Sequence, residues 1–410
     1  IPFVIHRIKL KYGIMPWKNT VHQFFGGIAA LSAGFSVGRE GPSVHLGAFG
    51  ASSIGSYLRL PYNSIRILAG CGIAAGISAS FNTPLAAMIF VMEVVLREYR
   101  IHVFVPIMLA STAGSIIATA VFGSNNDLHS LHMVTLSHWH LPYLILCGIA
   151  MGIVATFFNK SLMRMMKTFH NWHLSLRLGL AALLTIGIGY LVPEALGAET
   201  GAIHYAVAAP DQMGLLFAIF VAKFLLTVFA LGLGIPGGIV GPVFGIGIVM
   251  GTILAFMPSL LIGDYSTVGT YAVLGMAGMM AATIHAPLAA LVAVTELAAN
   301  PELVVPAILV ITASYVTAVQ FFNTKSIFLQ QLDFLQMPYR LSPADDVLQK
   351  VGVLAMLKQD YQVLENPTDT QIIQVLDTLL PTQQLLVMRK FAVDQHYELA
   401  SYDLSLSMTG

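Results

Sequence analysis

Charge and cysteine are both scarce in this 410-residue sequence. Lys, Arg, Asp and Glu together make up 10% of it, where an ordinary soluble domain has about one-quarter. With 56% hydrophobic residues and a mean hydropathy of +0.77, that shortage excludes a soluble globular domain, a disordered chain and a collagen-like or coiled-coil fibre. Twenty Lys and Arg balance twenty Asp and Glu, so no basic surplus exists to hold nucleic acid. The two cysteines, Cys71 and Cys147, lie in apolar runs, which suits buried thiols and not a disulfide or metal site. No P-loop, HExxH or Ser/His/Asp order is present, so neither an enzyme nor a cofactor is expected. A signal peptide is also missing, because Ile1-Pro2 leads into a basic stretch with Arg7, Lys9 and Lys11. The first residue is not Met, and the chain is expected to be a fragment.

The charge that is present is unevenly spread. Residues 1–340 carry 16 Lys and Arg and 11 Asp and Glu, whereas residues 341–410 carry 4 and 9. The first region reads as membrane-embedded and the second as an acidic, water-facing piece. A spanning helix needs roughly 20 apolar residues. Candidate stretches lie near 22–37, 42–58, 64–96, 101–123, 140–165, 176–197, 212–234, 239–262, 267–298 and 303–322. Two of these are long enough for two helices each, broken at Asn82-Thr83-Pro84 and His285-Ala286-Pro287. Broken backbone at membrane depth survives only where protein buries it or a wet cavity lines it, so the breaks point to candidate ion sites.

An internal repeat organises the apolar region. Residues 72–93 read GIAAGISASFNTPLAAMIFVME and residues 275–296 read GMAGMMAATIHAPLAALVAVTE, an offset of 203 throughout. Upstream, Gly38-Arg39-Glu40-Gly41-Pro42 matches Gly238-Ile239-Val240-Gly241-Pro242 at offset 200. Small-residue membrane helices do look alike, but composition alone does not keep two motifs in order at one spacing. A duplicated membrane unit is the usual build of secondary transporters, with the substrate site between the halves.

The first glycine motif carries an acid. Glycines let the backbone approach a ligand, and Pro42 suits the first turn of a helix. A helix N-terminus offers unpaired N–H groups and partial positive charge to an anion. The Glu40 carboxylate could take the anion's place, and leave when protonated or outcompeted. A plain capping carboxylate is the competing reading, weighed against the rarity of intramembrane acids. The second motif, Gly234-Ile235-Pro236-Gly237-Gly238-Ile239-Val240-Gly241-Pro242, has no acid, and the N–H groups of Ile239 and Val240 could face an anion. A packed histidine is the favoured reading of His45. His129, His132, His138 and His140 read as a solvated loop rather than a metal site. Arg97 and Arg100, with Arg7, Lys9 and Lys11, read as cytoplasmic anchors.

Together, GREGP, GIPGGIVGP and the paired FNTPLAAMIFVME and IHAPLAALVAVTE resemble the CLC family of chloride channels and proton/chloride antiporters, over residues 1 to about 335. The resemblance implies an all-α polytopic membrane protein with an inverted repeat of broken, tilted helices, and a homodimer with one pathway per subunit. It implies chloride as the substrate, with protons as possible co-substrates, and Glu40 as the gate and proton acceptor. It also implies anion contacts from Gly38, Arg39, Gly41, Pro42, Gly237, Gly238, Ile239 and Val240. Ile1-Pro2 falls where the last two letters of the family's GSGIP would stand, so the first helices and a central serine are expected to lie upstream.

Two departures from the family pattern follow. Phe328 takes the place of a tyrosine whose hydroxyl completes the anion site. Val94 takes the place of an inner proton-relaying glutamate, which favours passive chloride conduction, or exchange with a water-borne proton route, over standard coupling. Glu93 and Glu296 are read as structural acids. The region 341–410 resembles a single CBS domain, with strands near 362–364 and 384–388, a helix near 369–379 and a final element at 397–404. CBS domains can bind adenine nucleotides in pairs. One copy favours an interaction or regulatory role on the cytoplasmic side. The other function class is a membrane sensor or scaffold with little or no anion flux, which chloride affinity would separate from a transporter.

Overall fold

Proline and left-handed turns cut the apolar sequence into helices. The computed structural model describes residues 1–123, 134, 136, 138–197, 212–262, 266–298, 300–339, 361–376, 378, 384–390 and 397–403. The chain divides into two units, Ile1–Arg340 and Leu341–Gly410.

In the first unit, α1 (Pro2–Leu10) and α2 (Trp17–Ser32) lead to α3 (Glu40–Tyr57) and α4 (Tyr62–Phe81). The short α5 (Pro84–Phe90) runs on through a π-helical turn, Val91–Leu96, and α6 (Ile101–Phe122) follows. The chain continues with α7 (Leu141–Phe169), α8 (Leu174–Leu191), α9 (Met213–Leu233) and α10 (Val240–Ile262). Then come α11 (Val268–Ile284), α12 (Pro287–Ala298), α13 (Val304–Val316, extended by a π-helical turn to Phe321) and α14 (Ile327–Phe334). Among the described residues, seven helices are long and apolar enough to cross a membrane.

Both expected breaks are present. Asn82 closes α4 at φ 54° and His285 closes α11 at φ 62°, left-handed caps that stop a helix. Pro84 and Pro287 then open the next helix, where the missing N–H costs nothing. The repeat is also expressed as close packing. A Cβ on Gly47 would strike the carbonyl of Gly72, and one on Gly247 would strike the carbonyl of Gly275. Only glycine permits α3 to lie on α4, and α10 on α11, at this distance.

One end of the unit gathers the basic groups. Lys9 Nζ donates to the Leu96 carbonyl at 2.5 Å, and Arg66 donates to both Glu98 oxygens at 3.0 and 3.1 Å. His6 Nδ1 meets the Pro338 carbonyl at 2.7 Å, and His170 packs edge-on to Phe334. These contacts bring α1, the start of α4, the end of α5, the end of α7 and α14 together. The stretches that join the opposite helix ends, 123–137, 192–212, 263–267 and 299–303, contain Asp127, Glu194, Glu199, Asp211, Asp264 and Glu302 and no Lys or Arg.

The second unit holds β1 (Tyr361–Glu365), α15 (Asp369–Leu376), β2 (Gln384–Lys390) and β3 (Tyr397–Asp403). β1 pairs parallel with β2 through the α15 crossover, and β3 pairs antiparallel with β2. Ile372, Leu385 and Val387 form its buried core. The helix ends at Leu376, short of the expected 379, and β2 runs two residues past the expected 388.

Candidate functional site

The starts of α3 and α10 meet. Gly38 and Gly238, matched at offset 200, form an antiparallel bridge in which each N–H donates to the other's carbonyl, at 2.8 and 2.7 Å. Both helices begin two residues beyond this crossing. The first N–H groups of a helix have no partner within it, and two such helix starts converge here. Glu40 fills the space between them. It is 1% exposed, and its Oε1 accepts the Val240 N–H at 2.5 Å.

Glycine makes the room for that carboxylate. A Cβ on Gly38 or Gly238 would collide with the Glu40 side chain, and one on Gly41 would strike the backbone of Gly237 and Gly238. Gly237 packs on Val37, and the Pro42 ring fills a notch above Gly27. Arg39 is exposed and lies over the Phe81 ring at 5.5 Å, so its side chain turns outward from the crossing. A buried carboxylate needs compensation. A hydrogen bond to a charged group gives about 1.5–3 kcal/mol, and each helix start adds about 0.3–2 kcal/mol. A small anion of the same charge would meet the same groups.

Beside Glu40 lies a cavity of about 30 Å³ bounded by Ile77, Phe81, Thr83, Phe90, Val240, Phe244 and Met280 among others. Apart from Glu40 and Thr83 its side chains are apolar, so a water there has few partners. Val94 and Phe328 do not line it. Val94, 5% exposed, sits in the π-helical turn after α5, and Phe328, 2% exposed, sits in the first turn of α14. Both belong to the main apolar core, and neither carries a group that could hold a proton or donate to an anion.

A second constellation was not foreseen. The Glu93 carboxylate accepts the N–H groups of Leu288 and Ala289 at 3.1 and 2.8 Å. The Glu296 carboxylate accepts those of Leu85 and Ala86 at 2.9 and 2.8 Å. Each acid at the far part of one short helix therefore caps the start of the matching helix in the other half. Every partner in the first bond set maps onto the second at offset 203. The signal was in the sequence, since the acids and the capped residues all fall in the aligned repeat.

Of the histidines singled out in the sequence, His45 and His140 are packed, and the burial of His140 corrects its reading as part of a solvated loop. His45, 4% exposed, stacks on Phe3 at 6.0 Å, and His140 Nδ1 pairs with the Tyr271 hydroxyl at 2.8 Å. His129 and His132 lie outside the described residues. Among the described residues no three His, Cys, Asp or Glu side chains gather as a metal site, and Cys71 and Cys147 are free and buried.

Residues 1–319 match the sequence family described as voltage gated chloride channel. The chain belongs to the CLC family. It is 32% identical over 325 residues to the H(+)/Cl(-) exchange transporter ClcA of Salmonella agona (strain SL483), covering 76% of this chain and 68% of that one. In fold it is similar to a slow cyanobacterial Cl-/H+ antiporter, at 25% identity and a TM-score of 0.72 over 81% of this chain and 80% of that one. A CLC-type fluoride/proton antiporter shares the fold at 23% identity and a TM-score of 0.68, over 80% and 81% of the two chains. The CLC architecture thus accounts for the all-helical membrane unit, its broken helices and the crossing at Glu40.

Proposed function

We propose that this CLC protein moves chloride across a membrane through a pathway that the Glu40 carboxylate closes. The observation that carries the reading is the Glu40–Val240 bond, a buried carboxylate on a backbone N–H at the start of α10, where the start of α3 crosses it. Gly38, Gly41, Gly237, Gly238 and Ile239 shape that place, and Pro42 fixes the entry of α3. The related transporters are named as H(+)/Cl(-) exchangers and a Cl-/H+ antiporter, which supports chloride as the substrate here.

Proton coupling is the open part of the reading. Val94 and the apolar lining of the 30 Å³ cavity support chloride flux with little coupled proton movement. The test is to impose a chloride gradient on liposomes holding the protein and to follow pH. A small, variable proton flux is expected, and uphill proton pumping at a fixed stoichiometry contradicts the reading. Calorimetry of the purified protein is expected to show chloride binding, and its absence would favour a sensor or scaffold.

The remaining elements of the reading are the pairing of two copies and the tail. Each copy of a homodimer keeps its own pathway. The gathering of Lys and Arg at one end supports placing that end, with the CBS-like region 341–410, in the cytoplasm. There the region serves interaction or regulation, without a required nucleotide.

A further inference from the structure

Beside α14, apart from the helix crossing that holds Glu40, lies a basin of about 530 Å³. Lys160 and Lys167 of α7 and Lys325 of the link before α14 line it, against one acid, Asp333. Lys160 Nζ stands 5.4 Å from the centre of the Phe322 ring, and Lys325 bonds Asp333 at 3.1 Å. Three cations against one carboxylate leave a surplus suited to an anion of one or two charges. An aqueous phosphate would need no more than this.

The surface next to the basin narrows the choice. Ile153, Phe157, Lys160, Arg164 and Lys167 are spaced by four and three residues in turn, so they form one stripe on α7. All five are exposed, Ile153 by 48% and Phe157 by 61%. The stripe turns from apolar to basic at the level of the basin, as a helix face does where hydrocarbon gives way to headgroups. Phe321, next in the chain to the basin residue Phe322, is apolar and 80% exposed. Basic pockets of this kind between membrane helices suit anionic headgroups. We propose that the basin holds the phosphate of an anionic glycerophospholipid whose acyl chains run along Ile153 and Phe157. The proposal rests on the membrane placement of α7 and is independent of the Glu40 pathway.

The test is native mass spectrometry of the full chain in detergent, titrated with phosphatidylglycerol, phosphatidylcholine or glycerol 3-phosphate. Phosphatidylglycerol is expected to bind at least tenfold tighter than phosphatidylcholine. The triple variant Lys160→Gln, Lys167→Gln, Lys325→Gln should lose that preference, while Lys18→Gln with Arg59→Gln, outside the basin, should keep it. Equal binding of the two lipids, or a triple variant with the wild-type preference, overturns the proposal. Displacement of phosphatidylglycerol by equimolar glycerol 3-phosphate overturns the lipid assignment in favour of a soluble phosphate. If the triple variant does not fold, Lys325→Gln alone is expected to lower the preference at least threefold at an unchanged melting temperature, and an unchanged preference then overturns it.

Discussion

Glu40 and Val240 are 200 residues apart, yet one hydrogen bond joins them, and it depends on two glycines that leave space for a carboxylate. Replacing Gly238 with Ala puts a methyl group where the carboxylate lies. The expected outcome is that Glu40 leaves the Val240 N–H, visible as a moved side chain in a cryo-EM map of the variant, with a weaker dependence of chloride flux on pH. Much of this was legible in the sequence, because an acid set among glycines before a helix start is a rare combination in an apolar chain. The outward turn of Arg39 over Phe81 was not legible. A motif lists neighbours along the chain, and whether a long side chain turns in or out depends on the space left by α4.

At the scale of elements, the two halves are joined by exchanged acids as well as by packing. Glu93 and Glu296 each satisfy two N–H groups at a helix start in the opposite half. Loss of a helix-start cap costs about 0.5–2 kcal/mol. Glu93→Gln and Glu296→Gln are each expected to destabilise the protein by about that amount in detergent melts, with similar effects because the sites are equivalent. A large loss from one and none from the other would contradict the equivalence. The helix breaks were readable from Asn82-Thr83-Pro84 and His285-Ala286-Pro287, since a left-handed cap followed by proline has few other uses. The exchange itself was hidden. The repeat shows which residues correspond, but only an inverted arrangement brings the acid of one half to the helix of the other.

For the whole molecule, charge sets direction. The basic end carries the Arg66–Glu98 pair, whose side chains are 9% and 14% exposed. Burial raises the Glu98 carboxyl, but the Arg66 hydrogen bonds and charge, with Lys9 and Arg100, bring it to a net value below the ordinary one. A lowered carboxylate stabilises the fold above its ordinary range and loses that contribution as pH falls through the lowered value. Stability is therefore expected to decline on acidification below the usual carboxylate range, and Glu98→Gln should flatten that part of the pH–melting curve. A cysteine placed at Lys18, with the native thiols buried, should react with an impermeant maleimide only from the cytoplasmic side. Labelling from outside would reverse the orientation. This polarity was visible in the distribution of Lys and Arg, whereas the lysine-lined basin required α7 and α14 to be side by side.

The central claim is that the Glu40 carboxylate stands in an anion's place. Protonation removes its charge and weakens its hold on the Val240 N–H, so acid should open the pathway. The direct measurement is chloride efflux from liposomes at several pH values, wild type against Glu40→Ala. Wild-type efflux is predicted to rise as pH falls, and the variant to be at least as fast and independent of pH. Equal rates with the same pH dependence in both proteins would contradict the account.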